Sequence, residues 1–143
     1  MSGGLKYKVI TSSLTVTTFE SVCFTITGSA TTVAVLLLYP PGSAVVTDVF
    51  SEELSNCLED IAPYKCQIVI AGDFNIHMEI ADDRHAIALR DLLASFDCIQ
   101  QVLLQPTHRD GGTLDLVVTK VEQDVDDLTV DPPGVISDHS VIN

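Results

Sequence analysis

The alternation of apolar and polar residues divides the start of the chain into strands. Residues 5–11 and 14–18 alternate imperfectly, contain many β-branched side chains and are separated by two serines, which predicts a hairpin. Residues 20–27 alternate more regularly, as in a half-buried strand. The apolar face of this strand consists of Val22, Phe24 and Ile26. Residues 31–39 are mostly apolar and should lie centrally in a sheet. Because no helical pattern separates these segments, we expect antiparallel pairing at this end.

Two further segments carry apolar residues at helical spacing. Residues 46–61 and 84–96 each concentrate them on one stripe, which predicts helices that cover the sheet. We place Glu53 on the polar side of the first helix. We expect Asp82 or Asp83 to cap the second helix.

A short apolar run between these helices ends in a polar motif. Residues 67–71 are rich in β-branched side chains and stop at Gly72, which indicates a buried strand. Residues i and i+2 of an extended backbone share a face. Asp73 and Asn75 should therefore project together from the carboxyl end of the strand, where open α/β sheets bind ligands. An Asx turn is the alternative, because Asp and Asn are common where strands end.

The remaining segments complete the fold class. Residues 98–104 and 113–119 are predicted strands, and residues 121–131 are predicted to form an edge strand with a solvated face. Strands at the start of the chain, followed by alternating strands and helices, predict helices packed on a mixed sheet. We therefore expect one α/β domain over residues 1–143.

Composition excludes several classes of protein. The apolar fraction of 46% is ordinary for a globular chain and argues against disorder. No apolar stretch is long enough to span a bilayer, and the first residues lack the pattern of a signal peptide. We therefore expect an intracellular protein, nuclear or cytoplasmic, with no membrane partner. The four cysteines are scattered, which favours buried free thiols over disulfides or a zinc site.

The charge of the chain limits its affinity for nucleic acid. Twenty acidic and seven basic side chains give a formal net charge of −13, which repels a phosphate backbone. A metal site needs carboxylates, and a divalent cation reverses the local sign. The charge therefore does not exclude a nuclease, but it predicts weak binding of DNA.

Three short motifs follow one another along the chain. Residues 72–75 read GDFN, residues 106–108 read PTH and are followed by LDLV at 114–117, and residues 137–139 read SDH. In this order they closely resemble the endonuclease/exonuclease/phosphatase superfamily, and specifically the endonuclease domains of non-LTR retrotransposons. The resemblance extends from about Gly3 to the last residue and covers the later part of the family domain.

The resemblance implies both a fold and a boundary. Similar proteins form a four-layer α/β sandwich of two mixed β-sheets flanked by helices. They also carry an Asn and then a Glu, the latter a principal metal ligand, on strands that precede a glycine pair like Gly3-Gly4. These two residues have no counterpart in this sequence. The resemblance therefore implies a domain that is incomplete at its N-terminus and lacks the first strands.

Five residues of the motifs suit phosphodiester hydrolysis, which needs an aligned water and charge neutralisation at the phosphoryl oxygens. Asp73 is suited to orient or deprotonate the water, and Asn75 can donate to a phosphoryl oxygen. His139, as an imidazolium, would stabilise the pentacovalent phosphate and needs a carboxylate partner. Asp115 is the candidate partner, because a lone carboxylate in an apolar strand is costly unless paired. Asp138 would serve a metal ion, Mg²⁺ or alternatively Mn²⁺. These assignments match the roles in similar enzymes.

Two residues are candidates for contact with the substrate. By position, Tyr39 matches a phosphate-contacting tyrosine of similar proteins, although the arginine that usually follows that tyrosine is absent here. A strand-end aromatic that covers the core is the alternative for Tyr39. Thr107 matches a threonine that lines the site in similar proteins, or it simply belongs to a turn. His77 and Glu79 are interpreted as loop surface, within reach of a substrate.

Two functions remain open. The first is a Mg²⁺-dependent DNA endonuclease of retrotransposon type, impaired by the missing strands. The second is a catalytically inactive remnant or interaction module of the same fold. A phosphatase of the superfamily is disfavoured by the LDLV and SDH contexts. Missing strands would also leave an unpaired sheet edge, so we expect self-association.

Overall fold

The computed structural model describes residues 4–10, 16–40, 48–102, 107, 111–123 and 142. These residues form six strands and two helices. In chain order they are β1 (Lys6–Ile10), β2 (Glu20–Thr27), β3 (Thr32–Tyr39), α1 (Asp48–Ile61), β4 (Gln67–Asp73), α2 (Arg84–Ser95), β5 (Cys98–Gln100) and β6 (Asp115–Lys120). The predicted α/β class is confirmed.

All six strands belong to one mixed sheet with the order β1-β2-β3-β4-β6-β5. The first three strands form an antiparallel meander, as predicted. β3 and β4 run parallel, and α1 connects them. β6 pairs antiparallel with both β4 and β5. The second sheet of the expected four-layer sandwich is not seen among the described residues.

One face of the sheet is covered by the helices. Alternation along a strand places every second side chain of β3 and β4 on this face. These side chains and the apolar stripes of α1 and α2 form one buried cluster, which includes Leu36, Leu38, Ile70, Leu54, Leu58, Leu89 and Leu93. Phe19, just before β2, packs edge-to-face on Phe50 of α1 with ring centroids 5.5 Å apart. Burial of each such side chain stabilises the fold by about 1.5–3 kcal/mol.

The other face of the meander exposes apolar side chains. Tyr7 is 77% and Val9 55% exposed, and Val22 is 42% exposed. The register explains the position of Val22, because Cys23 pairs with Leu36, which points at the helices. The apolar face predicted for β2 therefore lies away from the helices.

The predicted hairpin of residues 5–11 and 14–18 is wrong. β1 pairs along its whole length with β2, and the described part of the second segment, residues 16–18, is not a strand. The backbone N–H groups of Thr17 and Thr18 donate instead to the Glu53 carboxylate, as do their hydroxyls. A side-chain acceptor from α1 thus replaces the expected strand partner.

The predicted position of Glu53 on the polar side of α1 is therefore wrong. Glu53 is only 8% exposed. Burial raises the pKa of its carboxyl, but the hydrogen bonds from Thr17 and Thr18 outweigh this effect and hold the pKa below its usual value. The helical pattern could not reveal this position, because the partners of Glu53 lie on a distant segment.

The N-terminus of α2 follows the ordinary capping rule. Asp83 caps α2, and its Oδ1 accepts from the N–H groups of His85 and Ala86, both at 2.9 Å. This confirms one of the two predicted caps. Neither described helix has the length and apolar composition needed to cross a membrane.

The later strands are shorter than expected. β5 ends at Gln100, and β6 begins only at Asp115. Residues 121–123 form a turn, and the rest of the predicted edge strand, residues 124–131, lies outside the described residues.

Candidate active site

The ends of three neighbouring strands bring predicted site residues together. Leu38 of β3 pairs with Gly72 of β4, so Tyr39 and Asp73 follow side by side. Asp73 in turn pairs with Asp115 at the start of β6. Alternation places Tyr39, Asp73 and Asp115 on the face away from the helices. Tyr39 is 52% exposed, and both carboxylates are half-buried.

Asp73 and Asp115 lie directly opposite each other. The N–H of Phe74 donates to the carbonyl of Leu114 at 2.9 Å, which marks the adjacent position as a hydrogen-bonded pair. Asp73 and Asp115 therefore form a non-hydrogen-bonded pair, the type in which side chains approach most closely. Two like charges in such a pair disfavour each other. The arrangement suits a cationic group or a divalent ion between the two carboxylates.

Gly72 allows β3 and β4 to approach at this end. Its φ is +148°, and a Cβ atom there would lie 1.9 Å from the carbonyl oxygen of Leu38. Such a separation is far below van der Waals contact, so only glycine fits. The glycine of the GDFN motif thus positions Asp73 beside the end of β3.

Asp73 and Asn75 are held together by a turn and not by strand alternation. β4 ends at Asp73, and Asn75 has a φ of 54°, in the left-handed region. The Asp73 Oδ1 accepts from the N–H of Asn75 at 2.9 Å, which is the Asx turn weighed as the alternative. The argument from a shared strand face is therefore wrong for this pair, although the two residues are adjacent.

Thr107 holds the backbone at the start of β6 in place through hydrogen bonds. It is fully buried. Its hydroxyl accepts from the N–H of Leu114 at 2.9 Å and from that of Asp115 at 3.0 Å. Its own N–H donates to the carbonyl of Gly112 at 3.0 Å. Thr107 therefore fixes the backbone that carries Asp115, while its contact with a substrate stays a prediction.

A histidine–carboxylate pair, His77 and Glu79, lies in the loop that follows β4. His77 Nδ1 and Glu79 Oε1 are 2.7 Å apart, and Glu79 Oε2 accepts from the N–H of Thr113 at 3.1 Å. Partial burial raises the pKa of Glu79, but the hydrogen bonds from His77 and Thr113 bring it below its usual value. The sequence interpretation assigned both residues to loop surface. A histidine and a glutamate two positions apart, directly after a strand-end motif, were the available signal.

The sequence of the chain matches one protein family over most of its length. Residues 33–143 match the family model described as endonuclease-reverse transcriptase. The chain belongs to the endonuclease-reverse transcriptase family. No curated protein sequence matches it significantly.

Solved structures share the fold of this chain. The endonuclease domain of TRAS1, a telomere-specific non-LTR retrotransposon, superposes with a TM-score of 0.67 at 18% identity, over 84% of this chain and 58% of that domain. An endonuclease/exonuclease/phosphatase family protein from Leptotrichia buccalis gives 0.64 at 15% identity, over 100% and 60%. The 3′ phosphatase NExo (D146N) from Neisseria, bound to product DNA hairpin, gives 0.55 at 17% identity, over 82% and 62%. The chain therefore spans about three fifths of each.

The donor set of this family member suits a hard cation. Asp73 and Asp115 offer carboxylate oxygens, the ligands that Mg²⁺ prefers. Among the described residues, however, no group of three or more His, Cys, Asp or Glu side chains could hold a metal ion. Asp138 and His139 lie outside the described residues. The pairing of Asp115 with His139 and the metal role of Asp138 therefore stay predictions.

Proposed function

We propose that the site hydrolyses phosphodiester bonds in DNA, as an endonuclease that depends on Mg²⁺ and accepts Mn²⁺. The observation that carries the proposal is the direct opposition of Asp73 and Asp115 at the ends of β4 and β6, beside the exposed Tyr39. The family of the chain and the fold it shares with nucleic-acid enzymes support the same chemistry.

The residues divide the work of hydrolysis. Asp73 orients and deprotonates the attacking water, and Asn75 donates to a phosphoryl oxygen. His139, paired with Asp115, stabilises the charge of the pentacovalent phosphate. Asp138, with Asp73, would hold the metal ion. When bound, Mg²⁺ supplies charge neutralisation at the phosphoryl oxygens.

Two residues serve substrate binding in this proposal. Tyr39 is exposed on the same sheet face as the carboxylates and contacts a phosphate of the strand. Thr107 is buried, so its effect on the substrate passes through Asp115, whose N–H it accepts at 3.0 Å.

We expect the 143-residue chain to be a weak enzyme. Its net charge of −13 opposes DNA binding. Asp73 and Asp138 alone should bind Mg²⁺ weakly, because this ion needs a near-octahedral oxygen shell. Titration calorimetry should detect no tight Mg²⁺ site. A tight site that is lost on Asp138→Ala would contradict this expectation.

Nicking of supercoiled plasmid tests the activity. With the chain in excess over plasmid, we expect slow nicking in Mg²⁺ that stops with EDTA. Asp73→Ala and His139→Ala should each lower the rate by about 100-fold or more, whereas His85→Ala on α2 should leave it unchanged. Nicking that persists in Asp73→Ala, or that needs no divalent cation, would overturn the proposal.

An inactive interaction module is the second candidate function. The exposed apolar side chains of Tyr7, Val9 and Val22 favour it, because a row of such residues on a sheet face suits contact with a partner. In this case the contact is self-association through the meander. Complete absence of Asp73-dependent nicking, together with concentration-dependent sedimentation, would favour this function over hydrolysis.

A further inference from the structure

The loop between β4 and α2, residues 74–83, is firmly anchored. Met78 is 1% exposed, and its N–H donates to the carbonyl of Thr113 at 3.3 Å. The Arg90 guanidinium of α2 donates to the carbonyl of Met78 at 2.9 Å. Ile76 is also buried. Three kinds of contact thus hold the loop in place: buried apolar side chains, a backbone hydrogen bond and the Arg90 guanidinium.

This anchored loop presents the His77 ring to solvent. The His77 side chain is 53% and the Glu79 side chain 24% exposed. The ring lies over Gly112, where a Cβ atom would be only 2.9 Å from its Nδ1 and Cε1 atoms. Glycine at this position therefore makes room for the ring. Because Glu79 occupies Nδ1, Nε2 is the ring nitrogen that a ligand can reach.

The pair of His77 and Glu79 extends the site just described. Glu79 accepts a hydrogen bond from the N–H of Thr113, two residues before Asp115. Asp115 pairs with Asp73 in the sheet. His77 follows Asn75 by two positions. The ring therefore lies over the segment that leads into Asp115, at the end of the sheet that carries the carboxylates.

The chemistry of the pair suits an anion with a fixed position. In the imidazolium form both ring nitrogens donate, one to Glu79 and the other outwards. In a chain with seven basic and twenty acidic side chains, a pre-positioned donor of this kind is valuable for holding a polyanion. Arg90 already donates to the carbonyls of Ala81 and Met78 in this loop.

We propose that the His77–Glu79 pair is a nucleic-acid contact, in which His77 Nε2–H donates to a phosphodiester oxygen next to the bond that is cleaved. Glu79 is a positioning residue that holds the ring towards the strand. This inference rests on the proposed function, since it places the contact beside the reacting phosphate.

Histidine ring resonances in NMR spectra of the full chain provide the test. A short duplex DNA, titrated at low ionic strength without divalent cation, should shift the His77 ring signals and leave those of His85 unmoved. The spectrum of His77→Gln assigns the signals. Affinity for the duplex should fall about fivefold in His77→Gln, as for loss of one hydrogen bond. His85→Gln is the matched control and should bind like the original chain.

The variant Glu79→Gln tests whether the Glu79 carboxylate is needed to hold the His77 ring towards the DNA. A glutamine keeps a hydrogen-bonding oxygen for Thr113 but removes the anion beside the ring, so the DNA-induced shift of His77 should shrink while the protein stays folded. An unchanged shift in this variant would overturn the positioning role of Glu79.

The remaining outcomes also decide the inference. His77 signals that stay unmoved at millimolar strand phosphate would overturn it. Equal shifts with inorganic phosphate at the same phosphate concentration would assign the pair to a free anion and overturn the strand contact. Plasmid nicking that depends on Asp73, combined with unmoved His77 signals, would remove only this inference. Shifted His77 signals without Asp73-dependent nicking would remove the proposed function and leave the contact in place.

Discussion

The meander and the β4–β6 end share one face of the sheet but are built differently. On the meander, β1 to β3 turn apolar side chains such as Tyr7 and Val9 outwards, with exposed fractions of 77% and 55%. At the β4–β6 end, polar groups are held by specific hydrogen bonds, as in the bonds of Thr107 to the start of β6. The first region offers area for contact, whereas the second offers fixed positions for chemistry. Substitutions should therefore affect stability strongly at the β4–β6 end and weakly on the meander.

The largest effect is expected at Gly72. Gly72→Ala places a Cβ atom 1.9 Å from the carbonyl oxygen of Leu38, so β3 and β4 must separate or the backbone must distort. We expect a loss of about 4 kcal/mol or more in the free energy of unfolding, measured by urea denaturation. Gly28→Ala is the control, because its Cβ would meet its nearest atom at 3.6 Å. Equal stabilities of the two variants would contradict the close approach.

Thr107→Val is expected to have the next largest effect. The substitution preserves the shape of the side chain but leaves the N–H groups of Leu114 and Asp115 without their acceptor. We expect a loss of about 2 kcal/mol in the free energy of unfolding. Thr107→Ser keeps the hydroxyl and should recover much of it. If the serine and valine variants unfold alike, the hydroxyl does not organise this turn.

Glu53 should give a smaller effect that depends on pH. The pKa of Glu53 is lowered in the folded chain, so its contribution is present above the ordinary value of about 4.3 and disappears as the pH falls through the folded value. Glu53→Gln should cost about 1 kcal/mol at neutral pH and flatten the acid limb of the stability profile. Glu52→Gln, on the exposed side of α1, serves as the control. A profile that keeps its slope in Glu53→Gln would show that other carboxylates cause it.

The smallest effect on folding is expected on the meander. Val9→Thr keeps a β-branched side chain at an exposed position of β1, so unfolding should change by no more than about 0.5 kcal/mol. If this face mediates self-association, the variant should sediment more nearly as a monomer. Lys8→Gln, on the neighbouring position, is the control. A large loss of stability would mean that Val9 is packed in a core.

Periodicity predicted the elements, but it did not predict the contacts that lie far apart in the sequence. The strand at β4 and the capping of α2 by Asp83 follow from local patterns, and both are confirmed. The predictions for the partner of β1 and for the exposure of Glu53 were wrong, because the N–H groups of Thr17 and Thr18 donate to Glu53 on α1. Local composition contains no signal for such a bond.

The candidate site shows the same division. The GDFN motif identified Asp73 and Asn75 as neighbours, but their arrangement depends on a turn with a left-handed residue. The link between Glu79 and Thr113 joins two segments that no sequence period connects. Asp138 and His139 lie outside the described residues, so their roles in the site stay predictions.

The parallel pairing of β3 with β4 has a consequence for the order of folding. The meander closes through short connections, whereas β4 can join β3 only after the whole of α1 has crossed over, and β6 must return from still further along the chain. Contacts between distant segments form slowly, because the entropy of closing a long loop is lost first. We therefore expect the carboxylate pair to assemble late. During synthesis, a chain whose β6 has not yet left the ribosome carries Asp73 without its counterpart and has not yet formed the candidate site.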